Sequence, residues 1–277
     1  MIASKIQAMR SKEESLYLFI NFYKPPSLED EKLSECINVR DDLTCRAKIC
    51  HWTYSVIDHF NLSRSTVAIS IDLFDRFLAT RGNRCDTNLA LLTSLTTLYI
   101  AIKVNEQKKI KLCTLARLSR QQFSPQDIEK MEMEILKTLS WLIHPPTALD
   151  FISHLIMLLP SAVSGPTRHD VFDMSRYITE LSVCDPYFTE HHKSNIALAT
   201  ILNVLEDEIT SEEISRACRE KYLINITGTF DWFNHHVQAV NCCRDRLRRL
   251  QWEQEESPSS QSSIRTKRAH SPTSVLG

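Results

Sequence analysis

Thr87-Asn88-Leu89-Ala90-Leu91-Leu92-Thr93-Ser94-Leu95-Thr96-Thr97-Leu98-Tyr99-Ile100-Ala101-Ile102 runs for sixteen residues without a charge, and Lys103 closes it. Over about 87–104 this reads as a helix that is apolar nearly all round, so it belongs in the middle of a soluble bundle. Its Thr and Ser hydroxyls can bond back to the helix backbone.

The pattern outside this stretch is helical too, with little β-alternation. Towards the N-terminus, a helix over about 65–79 carries Val67, Ile71, Phe74 and Leu78 on one stripe and Ile69, Leu73 and Phe77 on the next. Another covers about 42–60. An amphipathic segment over 3–22 precedes it, ended by Pro25-Pro26. Towards the C-terminus, a short helix near 111–119 leads to Ser124-Pro125, a cap followed by proline at the first helical position, opening a helix to about 140.

His144-Pro145-Pro146 breaks the chain, and Thr147-x-x-Asp150 has the form of a capping box. Five further helices are expected at about 147–159, 167–183, 190–206, 211–220 and 229–252, with the last pair separated by Ile224 to Gly228. From about Glu253 the chain is rich in Ser, Pro and Gln and is expected to be disordered. The expected architecture is all-α: an N-terminal helical arm (1–40), one five-helix unit (41–144), a second (145–252) and a polar tail (253–277).

Composition removes several function classes. The chain has four glycines, at 82, 165, 228 and 277, none close to another. Phosphate-cradling loops and a nucleophile elbow both need glycine at short spacing, so neither is present. Nine cysteines include no C-x-x-C, and the N-terminus lacks an apolar secretory core, which points to free thiols in a reducing compartment. A net charge of −1 gives no general attraction to nucleic acid or an anionic membrane. No apolar stretch is read as reaching the roughly 18 residues of a membrane span. His191-His192 and His235-His236 are adjacent pairs that point to different helix faces, so no metal is placed there. No catalytic residue, metal or cofactor is nominated. Arg244, Arg246, Arg248 and Arg249 crowd the end of the last helix, where they suit its dipole, or else an acidic partner.

One pair stands out. On a helical wheel Ile128, Ile135, Leu136 and Leu139 cluster, and Glu132 falls inside that apolar stripe. A carboxylate there is costly unless something satisfies it. Lys103 is the first charge after sixteen uncharged residues. Either the two pair with one another, or they face a partner and grip its polar groups.

Four segments resemble the cyclin box, in order and at its spacing. Cys45-Arg46-Ala47-Lys48-Ile49-x-x-Trp52 is similar to the family's M-R-A-I-L-x-x-W. Ile71-Asp72-Leu73-Phe74-Asp75-Arg76-Phe77-Leu78 is similar to its D-R-F-L helix. Ala101-Ile102-Lys103-Val104-Asn105-Glu106 is similar to A-S-K-(F/Y)-E-E. Met131-Glu132-x-x-Ile135-Leu136 is similar to M-E-x-x-(I/V)-L. Glu180-Leu181-Ser182 and Ser194-Asn195-Ile196-Ala197-x-Ala199 resemble the second repeat, and the likeness covers roughly 15–250.

The resemblance implies two cyclin-box repeats and a regulatory subunit, not an enzyme, that binds the C-helix of a cyclin-dependent kinase and props its activation loop. It makes Lys103 and Glu132 the kinase clamp, with Val104, Ile135 and Leu139 as apolar neighbours. It gives Arg46 and Asp75 a structural role within the box. It makes Cys45, Lys48, Ile49 and Trp52 a candidate docking patch for R-x-L motifs of substrates or inhibitors, weakened by a lysine where the family has an apolar residue. The first glutamate of the usual pair is Asn105, expected to alter rim electrostatics only. The short N-terminal arm and Pro146-Thr147-Ala148-Leu149-Asp150 lean towards the D-type.

The rival readings are a cyclin-fold protein of the transcription machinery, for which a basic face would be needed, and a scaffold without kinase activation, against which the retained Lys103 and Glu132 argue. Nucleus and cytoplasm are the expected locations. Arg265-Thr266-Lys267-Arg268 fits a short import signal, and Ser257-Pro258 and Ser271-Pro272 fit proline-directed phosphorylation, though polar tails collect such matches by chance.

Overall fold

A computed structural model describes residues 1–17, 39–81, 87–207, 210 and 213–255. Of the polar tail expected from 253, residues 253–255 continue the last helix; its two Ser-Pro pairs and its basic run lie outside the described residues. Among the described residues the fold is all-α, with eleven α-helices and no strand. They are α1 (Ile2–Ser15), α2 (Val39–His59), α3 (Ser65–Arg81), α4 (Thr87–Asn105), α5 (Leu112–Leu118), α6 (Pro125–Thr138), α7 (Ala148–Leu155), α8 (Gly165–Cys184), α9 (Lys193–Glu206), α10 (Arg216–Thr229) and α11 (Asp231–Glu255).

The described parts of Phe19–Pro145 and Val183–Glu190 form one compact unit, built on α2 to α6. Its centre is α4, whose Leu95, Leu98, Ala101 and Ile102 are in the core. By length and composition α4 is apolar enough to cross a membrane, which corrects the expectation that no stretch reaches that length. Here the core of the unit supplies its apolar surroundings: Phe74, Phe77, Ile128 and Ile135 belong to the same buried cluster. Thr96 Oγ1 donates to the Leu92 carbonyl at 2.7 Å and Ser94 Oγ to that of Leu91 at 2.9 Å, so these hydroxyls enter the core satisfied.

Glycine is scarce, and the turns manage without it. Asn61, Arg120, Gln121, Ser140 and Trp141 all have positive φ. After α6 the chain reverses at Ser140-Trp141, where the Trp141 N–H bonds the Leu136 carbonyl at 2.9 Å. That arrangement normally falls to glycine. The α6 start is the expected cap: Ser124 Oγ accepts from the Asp127 N–H, and an Asp127 carboxylate oxygen accepts from the Ser124 N–H at 2.9 Å.

The described parts of Met1–Leu18, Pro146–Ser182 and His191–Gly277 form the second unit. It repeats the plan, with five helices (α7 to α11) and an apolar centre in α9, where every residue from Ser194 to Leu205 is buried. The expected capping box opens α7: Thr147 accepts from the Asp150 N–H and Asp150 returns a bond to the Thr147 N–H at 2.8 Å. The N-terminal helix α1 belongs to this unit and packs on α7.

One helix is placed differently from expectation. Ile224 to Gly228 was expected to interrupt the chain, but α10 runs from Arg216 through Gly228 to Thr229. Tyr222 and Ile226, one turn apart, are both fully buried, so packing carries the helix across its glycine.

Candidate protein-binding surface

Lys103 ends α4 and Glu132 lies in the middle of α6. Their side chains meet: Lys103 Nζ donates to Glu132 Oε1 at 2.6 Å. The lysine side chain is 45% exposed and the carboxylate 14%, so the pair sits at the surface with the acid recessed. Of the two readings left open, the internal pair is what the free protein forms. Lys103 Nζ also lies 4.9 Å above the Tyr99 ring, which steers the ammonium.

The apolar neighbours divide. Val104 is half-buried beside the pair. Ile135 and Leu139, expected as contact residues, have their side chains in the core, at 0% and 6% exposure. In this conformation they cannot offer side-chain surface; they support the helix that carries Glu132. The reason is that the apolar stripe of α6 faces α4 and α5, and Glu132 lies at its edge, where it reaches the Lys103 ammonium.

Around the end of α4 the charge is positive. Lys109 Nζ donates to the carbonyls of Lys103 and Glu106 at 2.7 and 3.0 Å, and Lys108 Nζ to that of Phe60 at 3.3 Å. Lys109 thereby offsets the negative end of the α4 dipole, and Lys108 that of α2. Asn105 and Glu106 prove structural, which corrects the rim role expected for Asn105. Asn105 Nδ2 donates to Thr66 Oγ1 at 2.8 Å, and Glu106 accepts from the Ser63 N–H at 3.0 Å and from the Thr66 hydroxyl, so the two fasten the start of α3.

On α2, Arg46 is 3% exposed and pairs with both oxygens of Asp75 on α3, at 2.9 and 2.8 Å. Its Nη1 donates to the carbonyls of Val183 and Cys184, at 3.0 and 3.3 Å. The guanidinium thus joins three segments of the first unit. Of the docking candidates on the same helix, Lys48 is exposed, Cys45 and Trp52 are half-buried, and Ile49 is buried. Ile49 contributes to the core and not to a patch.

Sequence reasoning missed a charged cluster in the second unit. Arg10 of α1 is fully buried. It donates to Glu14 Oε1 at 2.7 Å, to Ser194 Oγ at 2.5 Å and to His236 Nε2 at 3.0 Å, and stacks 5.0 Å over Trp232. Glu13 accepts from the Ser194 hydroxyl at 2.7 Å and from the Lys193 N–H. Arginine only donates, so His236 Nε2 is the acceptor and that ring is neutral. His192 and His236 come together, ring centroids 5.7 Å apart, because one opens α9 and the other lies on α11. With the Arg10 cation on His236, this is a poor place for a metal, and no group of three ligating side chains occurs among the described residues. The arginines of α11 differ from expectation as well. They lie within the helix, and Arg244 and Arg248 both bond Glu206 at the end of α9.

The matches to known proteins follow this geometry. Residues 19–144 match the family model described as Cyclin, N-terminal domain. Cyclin-D3-3 of Arabidopsis thaliana is 30% identical over 186 residues, covering 66% of this chain and 49% of the relative. Cyclin-D3-2 of the same plant is 25% identical over 239 residues, covering 84% and 60%. G1/S-specific cyclin-E of Caenorhabditis elegans is 26% identical over 156 residues, covering 56% and 27%. A viral cyclin from herpesvirus saimiri superposes with a TM-score of 0.64 at 15% identity, covering 87% of this chain and 97% of that one. At that identity the superposition speaks for the fold. The helical units, the Arg46–Asp75 brace and the Lys103–Glu132 pair therefore sit on a cyclin fold. The chain belongs to the cyclin family, and its curated matches include D-type and E-type members. It spans about half to three-fifths of the length of the Arabidopsis relatives it matches.

Proposed function

We propose that this chain is the regulatory subunit of a cyclin-dependent protein kinase, of D-type character, acting in cell-cycle progression. The observation that carries the reading is the Lys103–Glu132 pair at 2.6 Å, where two cyclin-box motifs converge on one exposed face of α4 and α6. The chain contributes no catalytic group. It offers a rigid helical face to the kinase C-helix, holds that helix in its inward position and supports the activation loop. A kinase needs its β3 lysine, C-helix glutamate and activation loop assembled together. A subunit that binds the assembled conformer better than the other shifts the population towards it. Lys103 and Glu132 then exchange one another for polar groups of the kinase. The exposed Lys48, beside Cys45 and Trp52, gives a second patch on α2 for substrates or inhibitors, less apolar than an R-x-L groove. Nucleus and cytoplasm are the proposed locations.

The test is affinity for a cyclin-dependent kinase by calorimetry, with Glu132→Ala and Lys103→Ala. Charge-assisted bonds of about 1.5–3 kcal/mol predict a loss of roughly tenfold to hundredfold per variant. Stability should fall by no more than about 1 kcal/mol, because the pair lies at the surface. Unchanged affinity in both variants would refute the clamp.

A further inference from the structure

Cys50 of α2 and Cys184 at the end of α8 are 134 residues apart in sequence, and their sulfur atoms are 3.1 Å apart. Both belong to the first unit. Arg46 lies one turn before Cys50 on α2 and bonds the Val183 and Cys184 carbonyls. Positions i and i+4 of one helix thus grip the same segment, one through its carbonyls and the other through its sulfur. The approach of the two thiols is held by buried, charge-assisted bonds. We propose that Cys50 and Cys184 are a reversible modification site, at which a peroxide drives formation of an intramolecular disulfide.

The exposure of the two thiols orders the chemistry. Cys184 is partly open to solvent and Cys50 is fully buried. The hydrogen bond with Cys184, and then burial, push the Cys50 thiol well up. The first attack therefore belongs to Cys184, the more accessible of the two sulfurs. Its thiolate attacks one oxygen of hydrogen peroxide. The O–O bond breaks, the other oxygen leaves as water after gaining a proton, and Cys184 becomes a sulfenic acid. The Cys50 sulfur then attacks Cys184 Sγ. The S–S bond forms, the S–O bond breaks, and the hydroxyl leaves as water with the Cys50 proton. Two thiols are oxidised by loss of two hydrogens, and one peroxide is reduced to two waters. A thiol reductant reverses the result. To reach bonding distance the sulfurs close by about 1 Å.

The other cysteines differ. Cys113 and Cys242 are exposed, and Cys242 and Cys243 are consecutive helical residues whose side chains diverge. A metal would need further ligands, and no group of three occurs among the described residues.

The experiment takes the full chain, reduced and then treated with hydrogen peroxide, blocked with an alkylating agent and mapped as non-reduced peptides by mass spectrometry. A linked Cys50–Cys184 peptide that disappears with dithiothreitol is expected. So is a thermal midpoint raised by roughly 5–10 °C, because the cross-link closes a long loop in the unfolded chain. Cys184→Ser, at a partly exposed position, should keep the helical content and lose both effects. Cys50→Ser provides the second control. The proposal is overturned if Cys113 and Cys242 oxidise while the 50–184 peptide stays unlinked, if either thiol pairs with a different cysteine, or if the midpoint rises equally in Cys184→Ser.

Discussion

Replacing Arg46 by alanine should be the most damaging single change in the first unit. The side chain is 3% exposed, and Asp75 is 15% exposed on its side chain. Alanine removes two bonds to the carboxylate and two to carbonyls that end α8. It also leaves the Asp75 charge recessed without its guanidinium. Breaking a buried pair from one side costs about 3–5 kcal/mol, most of it the penalty on the remaining charge. With a urea slope near 2 kcal/mol/M, the midpoint should fall by about 1.5–2.5 M. Circular dichroism gives the global transition, and Trp52 on the same helix gives a fluorescence reading nearby. Arg46→Lys keeps the charge but loses the two-pronged geometry, so it should lie between wild type and alanine. Arg46→Met combined with Asp75→Leu removes both charges and should recover most of the loss. A shift below about 0.5 M for Arg46→Ala, or a double variant no better than Arg46→Ala, would refute the reasoning.

The acid side of the stability profile should depend on the second unit. Burial, then the Arg10 guanidinium and His236, hold His192 down to about 4, and burial followed by Arg10 lowers His236. Charged histidine is disfavoured in the folded state, so the unfolded chain takes up protons first. Stability is complete above the ordinary value of 6.5 and is lost as pH falls from there towards 4, by up to about 2 kcal/mol at pH 5 from His192 alone. Urea midpoints at pH 7 and pH 5 check this; equal midpoints would sink it, and His192→Gln should flatten the profile. The caps make a smaller claim. Ser124→Ala and Thr147→Ala should each cost about 1 kcal/mol in the same denaturation assay, and unchanged midpoints would mean the two capping boxes contribute nothing.

What the sequence revealed follows from the range of each interaction. The uncharged run of α4, the cap at Ser124 and the box at Thr147 are local patterns, and each became the expected element. Arg46 and Asp75 are 29 residues apart, and only resemblance to a family paired them. The Arg10 cluster was illegible because its partners lie 184 and 226 residues away, and one arginine in a polar N-terminal helix reads as solvated. Ile135 and Leu139 show the limit of the wheel. It places them on the apolar stripe correctly, but nothing in it says that the stripe faces inwards and that Glu132 stands at its margin. At Gly228 local propensity pointed to a break, and the burial of Tyr222 and Ile226 overrode it.

The contact between Lys103 and Glu132 gives the surface an unusual kind of neutrality. Each charge is already answered before any partner arrives. An incoming protein must outbid an existing ion pair, so only one that meets both charges at once gains from displacing it. A partner with a single complementary group would strand the other charge. Discrimination here rests on the difference between two matched states, not on how strongly either charge attracts.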